Sequence, residues 1–129
     1  MIDQKITIIG GGNLGGAVAF GLIKSKQIQP SDLTVSDRYT SVLKKFQDQG
    51  ATVTDSNVDA VKTANIIILA IKPYQAQEII AEIKPILNSN QILISAVAGL
   101  GLPKLEEAVS GSGVQTFRIM PNTAIAIQE

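Results

Sequence analysis

Short runs rich in β-branched residues recur along the chain at Lys5 to Ile9, Leu33 to Ser36, Asn65 to Ala70, Ile92 to Ser95 and Gln115 to Ile119. Each is about as long as one strand. In Ile66-Ile67-Ile68-Leu69 and Ile92-Leu93-Ile94 the apolar residues follow one another without alternation. That is the pattern of a strand covered on both faces, so it predicts a parallel sheet with helices on either side. Helical spacing fills the intervals, as in Leu14, Ala17, Val18, Gly21 and Leu22, and again in Tyr74, Ala76, Ile79, Ile80, Ile83 and Leu87.

Finer punctuation agrees with this alternation. Ala51-Thr52-Val53 reads as a short edge strand after a helix from about Thr40 to Gln49, which Gly50 ends with a left-handed cap. Asp55 or Ser56 caps a short helix from Asn57 to Thr63, and Pro73 suits the first turn of the helix after the fourth main strand, where its missing N–H costs nothing. Strand and helix thus alternate about five times before a final strand. Right-handed crossovers turn that order into an α/β, doubly wound, mostly parallel open sheet. No linker interrupts it, and residues 1–129 read as a single domain.

Composition narrows the chemistry. Apolar residues make up 45% and charged residues 17% of 129 positions, which suits a globular chain with one buried core. Eleven basic residues balance eleven acidic ones and lie scattered, so no sustained basic face for nucleic acid is expected. The absence of cysteine and histidine removes disulfides, thiolate nucleophiles, Ser-His-Asp machinery and most zinc or iron sites. No metal site is expected and no catalytic side chain stands out; the chemistry is expected to come from a cofactor. No apolar run nears the ~20 residues of a membrane span and no leader pattern opens the chain, which reads as cytoplasmic.

The first strand runs straight into Gly10-Gly11-Gly12-Asn13-Leu14-Gly15-Gly16-Ala17. The frame G-x-G-x-x-G falls on Gly10, Gly12 and Gly15, after a strand, at the opening of a helix and within a β-α-β unit of about thirty residues. This is the context of a Rossmann-type dinucleotide cradle. Gly10 permits the sharp exit from the strand, Gly12 lets a pyrophosphate approach the backbone, and Gly15 lets the helix pack closely. Free N–H groups at the helix start then face the anion. At the end of the second strand stands Asp37, 22 residues beyond Gly15, where NAD-binding folds place an acid for the ribose 2′-hydroxyl. Arg38 follows at once and suits a 2′-phosphate or an adenine ring. The pair leaves NADP and NAD both open.

With the loop and Asp37-Arg38, the stretches Leu69-Ala70-Ile71-Lys72-Pro73, Ser95-Ala96-Val97-Ala98-Gly99 and Arg118-Ile119-Met120-Pro121-Asn122-Thr123 stand in order. Together they give the whole chain a resemblance to the cofactor domain of the pyrroline-5-carboxylate reductases. That resemblance implies reduction of the cyclic imine 1-pyrroline-5-carboxylate to proline with NADPH or NADH. It places cofactor contacts on Gly12, Asn13 and Leu14, on Ser36, Asp37 and Arg38, and on Asn57. It puts Ala70, Ile71, Lys72 and Pro73 along the path from adenosine to nicotinamide, and Ala96, Val97 and Ala98 beside the nicotinamide. Asn122 would face the nicotinamide carboxamide or the substrate. The family also continues into an all-helical domain that forms the dimer and completes the substrate pocket. By this resemblance that domain is missing from a sequence that stops at Glu129, and homo-oligomerisation loses its usual surface.

Each residue has a plainer role open to it. Asp37 caps the following helix, Asn57 caps its own, Lys72 is a solvated charge, Arg118 joins an edge-strand ion pair, and Pro121 ends a strand. At the level of the whole chain, a non-catalytic NAD(P)-binding module and a Rossmann oxidoreductase for another small substrate, such as a hydroxy acid or a deazaflavin, are the alternatives.

Overall fold

The computed structural model describes residues 4–119. Six strands, β1 (Ile6–Ile9), β2 (Leu33–Ser36), β3 (Thr52–Thr54), β4 (Ile66–Leu69), β5 (Ile92–Ser95) and β6 (Gln115–Arg118), form one sheet in the order β3-β2-β1-β4-β5-β6. Every adjacent pair is parallel. Five helices connect them: α1 (Asn13–Ser25), α2 (Lys44–Gln47), α3 (Asn57–Lys62), α4 (Pro73–Ile83) and α5 (Leu102–Ala108). The chain winds outward in one direction from β1 to β3 and in the other from β4 to β6. The order therefore reverses between β1 and β4, and the crevice beyond their carboxyl ends is where open α/β sheets bind ligands.

Two apolar clusters sit on opposite faces of the sheet. On one, Ile6, Ile8, Leu33 and Val35 pack with Ala19 of α1, Ile28, Leu43 and Phe46 of α2. On the other, Ile9, Ile67, Leu69 and Leu93 pack with Val61 of α3, Ile80 and Ile83 of α4, and Leu105 of α5. The continuous apolar runs of β4 and β5 are less evenly covered than their composition predicts. Ile67, Leu69 and Leu93 are fully buried, whereas Ile66, Ile68, Ile92 and Ile94 are only partly so. Helices α3, α4 and α5 all serve one face, and α1 and α2 serve the other over β1 and β2. In register beside Ile94, Phe117 is 51% exposed, and Ile119 beyond it is 44% exposed.

Local signals explain most boundaries. Ser56 is the residue that caps α3, its hydroxyl accepting the Asp59 N–H at 3.2 Å. Pro73 opens α4, and the Gln75 side-chain carbonyl accepts the Lys72 N–H at 3.1 Å. The segment expected as one helix from Thr40 to Gln49 is broken instead into a 3₁₀ turn, Thr40–Val42, and the single turn of α2. Burying Leu43 and Phe46 against β1 and β2 takes precedence here over helix continuity, and Gly50 ends the segment with φ 96°. Buried polar groups are tied to neighbouring backbone. Thr7 Oγ1 donates to the Ala60 carbonyl at 2.6 Å, and Gln91 Nε2 donates to the carbonyls of Val61 and Ala64, both at 3.0 Å.

Phe46 is fully buried, stacks on Phe20 with centroids 5.1 Å apart, and borders both Gly11 and Gly16. Truncation to Ala is expected to cost about 3–5 kcal/mol of stability. Urea unfolding of Phe46→Ala measures this as a lower midpoint at unchanged slope.

Candidate nucleotide-binding site

The three motif glycines do different work. Gly10 leaves β1 with φ 107°, a left-handed conformation that lets the strand turn sharply, and its N–H donates to the Ser36 carbonyl at 2.8 Å. A side chain there would run into the Ala70 carbonyl, and one at Gly15 would run into the carbonyl of Gly10. Gly15 is buried and allows α1 to lie on the exit of β1 at backbone contact. Gly12 differs from both. It is exposed, has φ −76°, and a Cβ built on it meets nothing within 4 Å.

Gly12 is also the N-cap of α1. No side chain caps this end, and no acidic residue stands in its first turn. Among the described residues nothing accepts the N–H groups of Asn13 and Leu14. The positive end of a 13-residue helix therefore faces open space with unused donors, and that space is what a side chain at position 12 would occupy. Donors and dipole together suit an anionic group.

That space belongs to a cavity of about 930 Å³ at the carboxyl ends of the strands, near the upper end of the usual range for small-molecule sites. Most of the residues singled out in the sequence meet on its wall. From the loop come Gly10, Gly12, Asn13 and Leu14; from the end of β2, Ser36, Asp37 and Arg38; from the start of α3, Asn57. Beyond β4 lie Ala70, Ile71, Lys72 and Pro73, and beyond β5, Ala96 and Ala98. Two do not reach it. Gly15 is held beneath α1, and Val97 turns inward to the apolar cluster, 1% exposed. Asn122 lies outside the described residues, as does the rest of the Met120–Thr123 segment.

Polar contacts at the end of β2 set the shape of this wall. Ser36, fully buried, donates its hydroxyl to Asn57 Oδ1 at 2.7 Å, joining β2 to α3. Asn57 is therefore a partner of Ser36, and the cap of α3 is its neighbour Ser56. The Asp37 carboxylate accepts the Gly11 N–H on Oδ2 and the Tyr39 N–H on Oδ1, each at 2.8 Å. Arg38 is exposed, with its guanidinium 5.6 Å from the centroid of the Tyr39 ring. Lys72 is exposed on the wall and makes no ion pair among the described residues. Arg118 donates Nε–H to the Leu100 carbonyl at 2.7 Å, so it braces the turn after β5 rather than an acid.

Sequence reasoning passed over Tyr39 and a stripe of α4, Tyr74, Glu78 and Glu82, which also line the cavity. The i, i+4 spacing of that stripe was legible. That it borders a cavity depends on where α4 sits beside α3.

Residues 5–99 match the family model described as "NADP oxidoreductase coenzyme F420-dependent". The chain belongs to that family. It is 35% identical over 130 residues to a pyrroline-5-carboxylate reductase of Methanosarcina acetivorans, a match covering 100% of this chain and 48% of the relative. Among solved structures, it is similar to a pyrroline-5-carboxylate reductase from Coxiella burnetii, with TM-score 0.91 and 30% identity over 98% of this chain and 47% of the other. The Plasmodium falciparum pyrroline carboxylate reductase with NADP bound has TM-score 0.81 and 30% identity, covering 100% of this chain and 46% of the other. The chain spans less than half the length of these relatives.

The glycines separate under mutation. Gly15→Ala forces backbone atoms apart and is expected to lower the melting temperature by about 10 °C or more, on the order of 2–4 kcal/mol. Gly12→Val is expected to leave the thermal transition within about 3 °C of wild type while abolishing nucleotide binding. Differential scanning calorimetry paired with a nucleotide titration distinguishes the two.

Proposed function

We propose that this chain binds NADP(H) and is the cofactor-holding part of a pyrroline-5-carboxylate reductase, the enzyme that forms L-proline in the last step of proline biosynthesis. The observation that carries the reading is the uncapped start of α1, opening at Gly12 onto a cavity at the switch point of the sheet. In it the N–H groups of Asn13 and Leu14 hold the pyrophosphate, and Arg38 with Tyr39 borders the adenosine end. Lys72 and Pro73 flank the middle of the path, and Ala96 and Ala98 give the nicotinamide end a wall of small side chains.

When bound, the reduced nicotinamide supplies the hydride. The chain's own task is to hold the ring against an imine carbon and keep water from it, which is mainly positioning and requires no nucleophile or metal. The absence of His and Cys is no obstacle to that chemistry. Whole-chain relatives at 30% identity or more carry the reductase name, which favours the imine as substrate over the deazaflavin in the family's description. The family match ends at residue 99, whereas the relatives extend the likeness over the whole chain. Among the described residues no helix is long and apolar enough to cross a membrane. The reading includes a cytoplasmic location, a single domain over residues 1–129 and homo-oligomerisation.

Isothermal titration with NADPH and with NADH tests the binding half: saturable binding at one site per chain is expected, and no heat with either nucleotide sinks it. Expression in proline-requiring cells that lack a reductase tests the catalytic half. Growth without proline supports the reductase, and nucleotide binding without growth points to a non-catalytic module.

A further inference from the structure

Asp37 occupies the place where a ribose-binding acid is expected, but its contacts point elsewhere. Both carboxylate oxygens are engaged by the protein's own backbone, Oδ2 by Gly11 N–H and Oδ1 by Tyr39 N–H, each at 2.8 Å. Its backbone N–H is held too, donating to the Thr54 carbonyl of β3 at 3.2 Å. The residue is thus fixed between the glycine loop, the edge strand and the turn that carries Arg38 and Tyr39. Gly11 is buried against the segment that follows that turn: a Cβ there would lie 3.1 Å from the Phe46 ring of α2 and 3.3 Å from a methyl of Val42 in the 3₁₀ turn. With Asp37 as its acceptor, the Gly11 N–H is withdrawn from the anion-binding donors of the loop, while those of Asn13 and Leu14 stay open.

We infer that Asp37 is a positioning residue that ties the cofactor loop to the Arg38-Tyr39 turn, and that it is not the acceptor of a ribose 2′-hydroxyl. The inference rests on the cofactor reading above. Two charge-assisted hydrogen bonds accepted by one carboxylate organise loop and turn for either nucleotide, because the pyrophosphate and adenine they share are held by those two segments. A ribose acceptor acts differently, contributing only where a free 2′-hydroxyl is present.

The test uses Asp37→Ala and Asp37→Asn, with amide hydrogen exchange followed by NMR on the nucleotide-free protein and calorimetric titration with both nucleotides. Asp37→Ala is expected to speed exchange at Gly11 and Tyr39. It should weaken NADPH and NADH alike, each by about tenfold or more, leaving their ratio within about threefold of wild type. Asp37→Asn, which keeps one acceptor oxygen, should recover part of that loss, and it carries the same comparison if Asp37→Ala does not fold. Selective loss of NADH in the Asp37 variants overturns the inference in favour of a ribose acceptor. A fast-exchanging Gly11 amide in the nucleotide-free wild type overturns the tether by itself. Wild-type protein that binds neither nucleotide overturns the cofactor reading, while exchange at Gly11 still reports on the tether.

Discussion

Backbone lies against backbone where α1 crosses the exit of β1, and the site is built around that contact. A side chain at Gly15 would overlap the Gly10 carbonyl, and one at Gly10 would overlap the carbonyl of Ala70. Removing two side chains brings the helix start close over the carboxyl ends of β1 and β4, where the strand order reverses. The uncapped amides of Asn13 and Leu14 then lie at the switch point instead of a residue's width above it. The third glycine makes no such contact, and its missing side chain leaves the cradle open. Close packing and ligand access are thus assigned to different members of one motif.

The surroundings keep that arrangement in place through polar groups that are each satisfied. Ser36 holds Asn57, Asp37 holds Gly11 and Tyr39, Thr7 holds the carbonyl of Ala60, and Gln91 spans two carbonyls near the end of α3. Among the described residues no buried side-chain nitrogen or oxygen lacks a hydrogen-bond partner. Since an unpaired buried polar group costs about 1–3 kcal/mol, these bonds act as positional constraints as much as stabilising ones. They join β2, α3 and the glycine loop, the segments whose relative placement shapes the adenosine end of the cavity.

The uneven cover of β4, β5 and β6 follows from the same topology. Strands added outward from β4 bring α3, α4 and α5 to one face, so Ile94, Phe117 and Ile119 on the other are left partly or largely exposed among the described residues. Relatives that match this chain are more than twice its length, so in them further chain is available to that face.

The strand runs, the glycine frame and the alternation of β and α were all legible in the amino-acid sequence, because local sterics and burial period act over a few residues and leave direct marks. The sequence by itself therefore determined the fold class and the place where the glycine loop leaves the first strand. It did not resolve Asp37 from Arg38, since both are polar residues after a strand and their roles differ only through partners 26 residues upstream or one residue onward. Nor did it show that Thr40 to Gln49 breaks into two turns, that Val97 faces inward, or that α4 lends Tyr74, Glu78 and Glu82 to the cavity. Those outcomes depend on which surfaces meet once the sheet has closed on its helices, and only the tertiary structure decides that.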